Sequence, residues 1–282
     1  GSTFWNYATE PVPESEMGRA LFNEDGTHDV RDEGHEGYTT QTFLDHPMAQ
    51  QAGLTVAEIV ALRLYTGPGY IPINRTLRTN SSALVVTAWT LDTAVGKLAE
   101  HSRSVYLFRG LGRLPHPQWV EQYLKIAVGK DPVDVSEGMI GDPAFMSTST
   151  DLEVIRKTFT GPCMFSITGQ DRRSGHNLRR FQGMGASIDW VSQYPGEGEV
   201  LFPSNILLIP NTERIGHLHP DLDHCECFEF LVRYPWDYKN RCPLLLDSRD
   251  IITLSGDLTA CTPSLAGKPP CTAEEIKALE SF

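Results

Sequence analysis

The sequence predicts a protein of the α+β class, because helical patterns dominate the first half of the chain and strand patterns the second. Between residues 54 and 128, apolar residues recur mainly at the three-to-four spacing of a helix. Beyond residue 140 the apolar segments are short and are bounded by Gly, Pro or Asn, which is typical of strands. This order disfavours the regular strand–helix alternation of a parallel α/β sheet.

Three helices are predicted from these patterns. The first covers residues 54–62, with Thr55 as N-cap and Glu58 three residues later, the spacing of a capping box. The second runs from Ala83 to about Ala99 and is expected to be capped by Asn80-Ser81-Ser82. The third covers Pro117–Val128.

Strands are predicted at six places. They are Ser104–Phe108, Ala144–Ser149, Cys163–Thr168, Glu199–Phe202, Asn205–Ile209 and Glu226–Val232. A last short helix is expected at Thr272–Leu279.

The chain is predicted to comprise one large domain, residues 41–235, with extensions at residues 1–40 and 236–282. The first extension is acidic and has turn signals at Asp25-Gly26 and Asp32-Glu33-Gly34, so residues 25–33 are expected to be solvated. The second extension is punctuated by prolines.

Charge and hydropathy argue against two classes of function, nucleic-acid binding and membrane spanning. A formal net charge of −12 repels a phosphate backbone, which argues against nucleic acid as the main partner. The apolar runs are too short to span a bilayer, so no membrane span is predicted. We expect a monomer.

The sharpest local pattern is Tyr194-Pro195-Gly196-Glu197-Gly198-Glu199, followed by the apolar residues of a strand. If the strand alternation extends back through this turn, Glu197 and Glu199 share one face. Two like charges side by side are unfavourable, so a functional pair is one interpretation and a solvated strand edge is the other.

Arg109 follows the strand pattern Val105-Tyr106-Leu107-Phe108. A buried arginine needs an anionic partner, which a phosphate or a structural carboxylate could supply.

Ser147-Thr148-Ser149 ends another strand, where its hydroxyls could hold a ligand or form a turn before the next helix.

In this order and spacing, Arg109, Ser147-Thr148-Ser149 and Glu197-x-Glu199 resemble the Arg / Ser-Thr-Ser / Glu-x-Glu signature of the arginine-specific mono-ADP-ribosyltransferases. The resemblance covers about residues 50–210. Its further matches are Tyr65-Thr66-Gly67, Tyr70, Ile73-Asn74, Leu77-Arg78, Phe159, Ser187-Ile188 and Ser192-Gln193-Tyr194-Pro195.

The resemblance implies a fold of two roughly perpendicular antiparallel sheets with flanking helices and a central cleft for NAD+. It implies that NAD+ is the substrate and that no metal is needed. Residues 41–235 would then be the catalytic domain, and the partner would be a target protein that presents an arginine.

The resemblance also implies roles for individual residues. Glu199 would bind the ribose and stabilise developing positive charge, and Ser147 would hold Glu199 and the ribose. Glu197 would orient and deprotonate the acceptor arginine, with Tyr194 helping to dock the target. The remaining implied NAD+ contacts are Arg109 and Gly110, Thr148 and Ser149, Phe159 stacking on the nicotinamide, and Tyr65, Tyr70 and Asn74 on the adenosine side.

Alternatives remain open at this level. The same residues would suit an NAD+ glycohydrolase that discharges to water, or a catalytically silent NAD+-binding module. Arg172, Arg173, Arg179 and Arg180 form a basic loop that could close over the phosphates or simply be solvated. His217, His219, His224, Cys225 and Cys227 superficially resemble a zinc cluster, but their spacing fits no structural-zinc pattern well.

Overall fold

The computed structural model of the 282-residue chain describes residues 2–22, 26–102, 106–128, 139–159, 161–168, 185–211, 225–233, 236–237, 242–243 and 251–253. The chain divides into two compact units, and the first of them consists of Gly1–Ser102 and Gly185–Leu201. The second consists of Arg103–Met184 and Phe202–Phe282.

The regular elements of the described residues follow in chain order. They are α1 (Ser2–Thr9), α2 (Glu16–Arg19), β1 (Ala20–Phe22), β2 (His28–Val30), α3 (Thr40–Leu44), α4 (Pro47–Ala52), α5 (Val56–Leu64), α6 (Tyr70–Arg78), α7 (Val85–Ala99), β3 (Tyr106–Leu111), α8 (Pro117–Val128), β4 (Met139–Asp142), β5 (Met146–Ser149), α9 (Leu152–Thr158), β6 (Cys163–Thr168), β7 (Ala186–Ser187), β8 (Glu199–Phe202), β9 (Ile206–Pro210), β10 (Glu226–Arg233), β11 (Trp236–Asp237), β12 (Cys242–Pro243) and β13 (Ile251–Thr253). Helices dominate the first part and strands the second, so the α+β class is confirmed.

The first unit is a helical layer with two small antiparallel pairs, β1 with β2 and β7 with β8. The central helix α5 packs against α1, α3 and α7. Its capping box forms as predicted, since Thr55 Oγ1 accepts from the Glu58 N–H and Glu58 Oε2 accepts from the Thr55 N–H at 2.7 Å. The capping box therefore sets the start of the helix that carries Arg63.

A π-helical turn at Tyr65–Gly69 joins α5 to α6. Pro68 cannot donate a backbone hydrogen bond, and Gly67 leaves the helical conformation with φ −99° and ψ −164°. A Cβ on Gly67 would lie 2.5 Å from Gln193 Nε2. The glycine thus lets the segment before the paired glutamates approach the α5–α6 junction.

Residues 1–40 pack into the first unit through a buried ion pair. Asp32 is fully buried in a left-handed conformation with φ 54°, and both carboxylate oxygens accept from the Arg63 guanidinium at 2.8 Å. Arg31 is also buried, and its guanidinium carbon lies 3.7 Å from the centre of the Tyr7 ring. The expectation that residues 25–33 are solvated is therefore wrong at Asp32, because the carboxylate has a buried cationic partner on α5. The predicted boundaries between the large domain, residues 41–235, and its two extensions stay predictions.

The second unit is built on a sheet with the strand order β13-β4-β9-β10-β6-β3-β5. Strand β3 runs antiparallel to β6, with Arg109 opposite Phe165, whereas β10 runs parallel to β6. Strand β10 also pairs antiparallel with β9. This ladder places Arg109 on a strand that has β6 on one side and β5 on the other.

An aromatic cluster packs α8 onto this sheet. Trp119 stacks on Phe165 with ring centroids 5.6 Å apart, and its ring meets those of Phe228 and Phe230 edge-on. The Tyr123 hydroxyl donates to the Glu229 carbonyl at 3.1 Å. This aromatic cluster packs α8 against β6 and β10.

Most predicted elements are present, with shifted ends. The helix Pro117–Val128 and the strands Cys163–Thr168 and Glu199–Phe202 have the predicted bounds. The predicted cap of α7 is wrong, because this helix begins at Val85 after Leu84 in a left-handed conformation and without a side-chain cap. The Ser81 hydroxyl instead accepts from the Ala83 N–H in the preceding turn.

Several sequence predictions fall on residues outside the described ranges. They are the helix Thr272–Leu279, the arginines of the basic loop and the three histidines of the zinc alternative. In the part of the chain that the structure describes, no helix has the length and apolar content that crossing a membrane requires.

Candidate active site

The predicted site residues divide between the two units. Glu197, Glu199, Tyr194 and the α5–α6 residues Tyr65, Tyr70 and Asn74 belong to the first unit. Arg109, Gly110, Ser147-Thr148-Ser149 and Phe159 belong to the second.

Glu199 is the first residue of β8 and is half-buried. The hydroxyl of Ser192, a fully buried residue, donates to Glu199 Oε2 at 3.2 Å and accepts from the Tyr194 N–H at 3.1 Å. A serine hydroxyl has one donor and two acceptor positions, so these two contacts are compatible. Ser192 therefore orients the Glu199 carboxylate.

Glu197 lies in the turn before β8 rather than in the strand. Gly196 and Gly198 have φ values of 94° and 59°, a conformation that favours glycine. Strand alternation therefore does not put the two carboxylates on one face, because the strand begins only at Glu199. The relative placement of the two carboxylates is set by the turn.

The Asp189 carboxylate holds this turn. Its Oδ1 atom accepts from the N–H groups of Gly196 at 3.1 Å, Gly198 at 2.8 Å and Glu199 at 3.4 Å. Asp189 starts a short 3₁₀ helix, Asp189–Val191, so the turn is tied to a regular element. The site residues expected from the sequence do not include Asp189, although an aspartate shortly before a glycine-rich turn is a recognisable signal for backbone capping.

Burial raises the pKa of Glu197 above its ordinary value of 4.5, and the nearby negative charge of Asp189 raises it further. Burial also raises the pKa of the Tyr194 hydroxyl, so that tyrosine is neutral. A carboxylate whose pKa is moved towards neutrality is a better general base at physiological pH than an ordinary glutamate.

Buried polar contacts fix the segment that precedes the turn. The Arg63 guanidinium donates to the Val191 carbonyl at 3.3 Å, and Gln193 Nε2 donates to the Arg63 carbonyl at 2.6 Å. The Gln193 N–H donates to Thr66 Oγ1 at 3.1 Å, and Arg31 donates to Gln193 Oε1 at 2.9 Å. Asp32, Arg31 and Arg63 thereby support the glutamate turn, a role that the sequence pattern did not reveal because these residues are far apart in the chain.

The α5–α6 residues differ in exposure. Tyr65 is 2% exposed and Asn74 6% exposed, and the Asn74 amide donates to the Tyr65 hydroxyl at 3.2 Å. Tyr70 is 49% exposed, and its ring centre lies 6.4 Å from that of Tyr65. Of these three predicted adenosine contacts, Tyr70 is the one that presents an exposed ring.

In the second unit, Arg109 lies on β3 and is half-buried. Its Nη1 atom donates to the Ser147 carbonyl at 2.8 Å. A planar guanidinium has five N–H donors, so this contact fixes one branch of the fork and leaves further donor capacity. The bond joins the first two parts of the predicted signature within one unit.

The three hydroxyl residues of β5 are not equivalent. Ser147 is half-buried, whereas Thr148 and Ser149 are buried. The Ser149 hydroxyl accepts from the Asp151 N–H at 2.9 Å and donates to the Asp151 carbonyl at 3.1 Å. Ser149 therefore forms the turn before α9, which is the structural alternative that the sequence left open.

Gly110 and Phe159 are neighbours. A Cβ on Gly110 would lie 2.1 Å from the Phe159 carbonyl oxygen, so any side chain at this position would clash with the backbone at the end of α9. Phe159 is 44% exposed. Gly110 thus allows the close approach that places an exposed aromatic ring beside β3.

Cys225 and Cys227 pack with Met164 in a hydrophobic cluster, and both are buried free thiols. Burial raises the pKa of Cys225, which favours the neutral thiol over the metal-binding thiolate. Among the described residues, no three His, Cys, Asp or Glu side chains are grouped so as to hold a metal ion.

The chain is similar in structure to the ADP-ribosyltransferase HopU1 of Pseudomonas syringae pv. Tomato DC3000, with a TM-score of 0.51 and 16% sequence identity over 82% of this chain and 95% of that one. It is also similar to the Clostridium limosum C3 exoenzyme, with a TM-score of 0.46 and 16% identity over 69% of this chain and 95% of that one. No curated protein sequence matches the chain. The sequence profile described as ADP-ribosyltransferase exoenzyme matches residues 41–211, more than half of the chain. Together with the ordered Arg, Ser-Thr-Ser and Glu-x-Glu residues, this match shows that the chain belongs to the ADP-ribosyltransferase exoenzyme family.

Proposed function

We propose that this ADP-ribosyltransferase is a mono-ADP-ribosyltransferase that uses NAD+ and transfers ADP-ribose to arginine side chains of a target protein. The observation that carries the proposal is the turn at Tyr194–Glu199, which presents two half-buried carboxylates with different surroundings. Glu199 is oriented by the Ser192 hydroxyl, and Glu197 has a raised pKa. Different surroundings suit the two carboxylates to different steps.

Glu199 is assigned to the cleavage of the nicotinamide–ribose bond. Positive charge develops on the ribose as this bond breaks, and an ionised carboxylate beside the ribose stabilises that charge. The hydrogen bond from Ser192 restricts the rotamers of the Glu199 carboxylate. Ser147 is assigned a second positioning role towards the ribose and Glu199.

Glu197 is assigned to the acceptor. An arginine guanidinium has a pKa above about 12, so it must lose a proton as its nitrogen attacks the ribose carbon. The raised pKa of Glu197 increases its proton affinity, which helps that transfer. Tyr194, half-buried at the start of the turn, is assigned to docking the target.

The other NAD+ contacts are proposed from the family resemblance. The Arg109 fork would bind the diphosphate, while the Gly110 backbone and the exposed Phe159 ring would contact the nicotinamide. Ser147 and Thr148 would lie on the ribose side. Tyr65, Tyr70 and Asn74 would serve the adenosine side, with Tyr70 in direct contact and the buried Tyr65–Asn74 pair behind it.

The proposal is tested by separating the two glutamates. Glu197→Gln keeps the shape of the side chain but removes the base. We expect transfer to agmatine, a small arginine mimic, to fall at least about a hundredfold. The slow hydrolysis of NAD+ by water should largely survive, because water needs less help with deprotonation once the ribose has become electrophilic. Both products, nicotinamide and ADP-ribosyl-agmatine, are counted in the same reaction.

The wild-type protein supplies the controls. Nicotinamide release without any transfer to agmatine would indicate a glycohydrolase, and no release at all would indicate a silent NAD+-binding module. If Glu197→Gln lowers both rates together, Glu197 acts in NAD+ cleavage. If neither rate falls, Glu197 is not the base that the guanidinium acceptor requires.

A further inference from the structure

We propose that Asp189 is a positioning residue of the transfer reaction, which holds the turn that carries Glu197 and Glu199 and places its negative charge beside the Glu197 carboxyl. This inference rests on the proposed function, because it assigns Asp189 a role through the acceptor base. Neither the family resemblance nor the sequence pattern assigned Asp189 a role.

The geometry makes Asp189 the common acceptor of the turn. Its Oδ1 atom accepts hydrogen bonds from the N–H groups of Gly196, Gly198 and Glu199 at 3.1, 2.8 and 3.4 Å. The Gly196 N–H also donates to Oδ2 at 3.2 Å. Hydrogen bonds from N–H groups to an ionised carboxylate are roughly twice as strong as neutral ones. The three donors span Glu197 on both sides, so its backbone position depends on Asp189.

The turn needs this support because it has two residues with positive φ. A Cβ at Gly196 would meet no atom within 4 Å, so neighbouring side chains do not confine this glycine. Glycine loses more conformational freedom than any other residue when it is ordered. Hydrogen bonds to Asp189 thus restrain the conformation of the turn.

Asp189 is itself well anchored. It begins the 3₁₀ helix that ends at the buried Val191, whose carbonyl accepts from the Arg63 guanidinium. Trp190 donates from Nε1 to the Ser187 carbonyl at 3.1 Å, and its ring stacks on His46 with centroids 4.4 Å apart. The Asp189 backbone is therefore fixed on both sides by contacts that do not involve the turn.

The charge of Asp189 acts on Glu197. Burial is the largest influence that raises the pKa of Glu197, and the like charge of Asp189 is the second. The Tyr194 hydroxyl also senses the charge of Glu197, and its own raised pKa keeps it neutral. Glu199 lies two residues further along the same segment, and Asp29, Arg31 and Asp32 act on the neighbouring Tyr194 hydroxyl.

Two variants separate the two roles of Asp189, which are to hold the turn and to act by its charge on Glu197. Asp189→Asn keeps an oxygen that can accept at the Oδ1 position and removes the charge, so the turn should persist while the pKa of Glu197 falls. Glu197 must be deprotonated to act as base, so a lower pKa moves the acidic limb of the transfer rate to lower pH. Asp189→Ala removes both the acceptor and the charge, so the turn should lose its conformation.

The experiment measures kcat/KM for agmatine transfer against pH, together with nicotinamide release. For Asp189→Asn we expect the acidic limb to move down by roughly half a pH unit or more, with less change in NAD+ hydrolysis. For Asp189→Ala we expect transfer to fall about tenfold or more at every pH, since small displacements of a catalytic group are costly. Glu100→Gln, which neutralises an exposed carboxylate of the same unit, is the matched control and should leave the profile unchanged.

Each outcome bears on a different claim. Suppose the wild type transfers ADP-ribose to agmatine, the pH profile of Asp189→Asn is identical to that of the wild type, and the rate of Asp189→Ala is within about twofold. This result overturns the role of Asp189 and leaves the proposed function intact. A wild-type protein that never modifies agmatine refutes the proposed function. If Asp189→Ala does not fold, as judged by circular dichroism, the pH profile of Asp189→Asn alone decides.

Discussion

Replacing Asp32 by Asn tests whether residues 1–40 hold the turn that carries Glu197 and Glu199 through the buried ion pair. Asparagine tolerates the left-handed backbone of Asp32, so the substitution changes charge with little change in shape. It leaves the Arg63 guanidinium, which is 1% exposed, without the carboxylate that accepts from Nη1 and Nη2 at 2.8 Å. Breaking a buried pair by removing one partner costs about 3–5 kcal/mol.

The pH dependence of stability gives an independent magnitude for the contribution of the Asp32 carboxylate to the free energy of unfolding. Burial alone would raise the pKa of Asp32, but hydrogen bonds from Arg63 and His35 outweigh it and lower the pKa from 3.8 to about 2. A shift of this size corresponds to roughly 2 kcal/mol of stability. Because the folded-state pKa is the lower one, this stability is fully present above pH 3.8 and is lost as the pH falls towards 2. Asp32→Asn should lack this acid-dependent component.

The assay is urea unfolding of the wild type, Asp32→Asn, Arg63→Met and the double variant at pH 7 and at acidic pH. We expect a favourable coupling of about 2 kcal/mol or more between the two positions at pH 7, because the double variant removes the unpaired charge. Asp45→Asn, an exposed carboxylate, should lie within about 0.5 kcal/mol of wild type. A coupling near zero would refute the reasoning. Agmatine transfer should fall in Asp32→Asn, since Arg63, which loses its carboxylate partner, also holds the Val191 carbonyl before the turn.

Three further substitutions test individual site residues. Glu199→Gln should lower nicotinamide release far more than about tenfold while leaving the unfolding temperature near wild type, and a smaller loss contradicts its assignment to bond cleavage. Arg109→Lys keeps the charge and loses the fork, so calorimetry should show weaker NAD+ binding, and unchanged affinity would mean that Arg109 is structural. Gly110→Ala places a Cβ 2.1 Å from the Phe159 carbonyl oxygen and should cost roughly 1–3 kcal/mol in chemical unfolding, so an unchanged midpoint would show that the two segments separate easily.

Local patterns in the sequence were sufficient for several parts of the fold. The capping box at Thr55 and Glu58 depends on residues three apart, and it is present as predicted. The strand Cys163–Thr168 is an apolar run between a proline and a glycine, and its bounds are as predicted. The start of α7 was misplaced because the cap signal Asn80-Ser81-Ser82 forms a turn, and propensity alone does not distinguish a turn from a helix cap.

The motif residues were also recognisable without the structure, since the Arg, Ser-Thr-Ser and Glu-x-Glu residues occur in the order of the family signature, within the residues 41–211 that the family profile matches. The sequence indicated which residue types are present but not how the turn places the two glutamates. That placement depends on positive φ at Gly196 and Gly198 and on the Asp189 carboxylate, neither of which follows from alternation along a strand.

By itself, the sequence determined the α+β class, the family and the chemical groups of the candidate site, because each rests on short-range patterning or on an ordered motif. Only the tertiary structure decided that Asp32 is buried against Arg63, and that Arg31 and Thr66 hold Gln193 beside the glutamate turn. The physical reason is that a buried charge is stable only beside a partner of opposite charge. Here the partners lie 31 residues apart in the chain for the ion pair and 162 for the Arg31–Gln193 contact, so no local pattern reveals them.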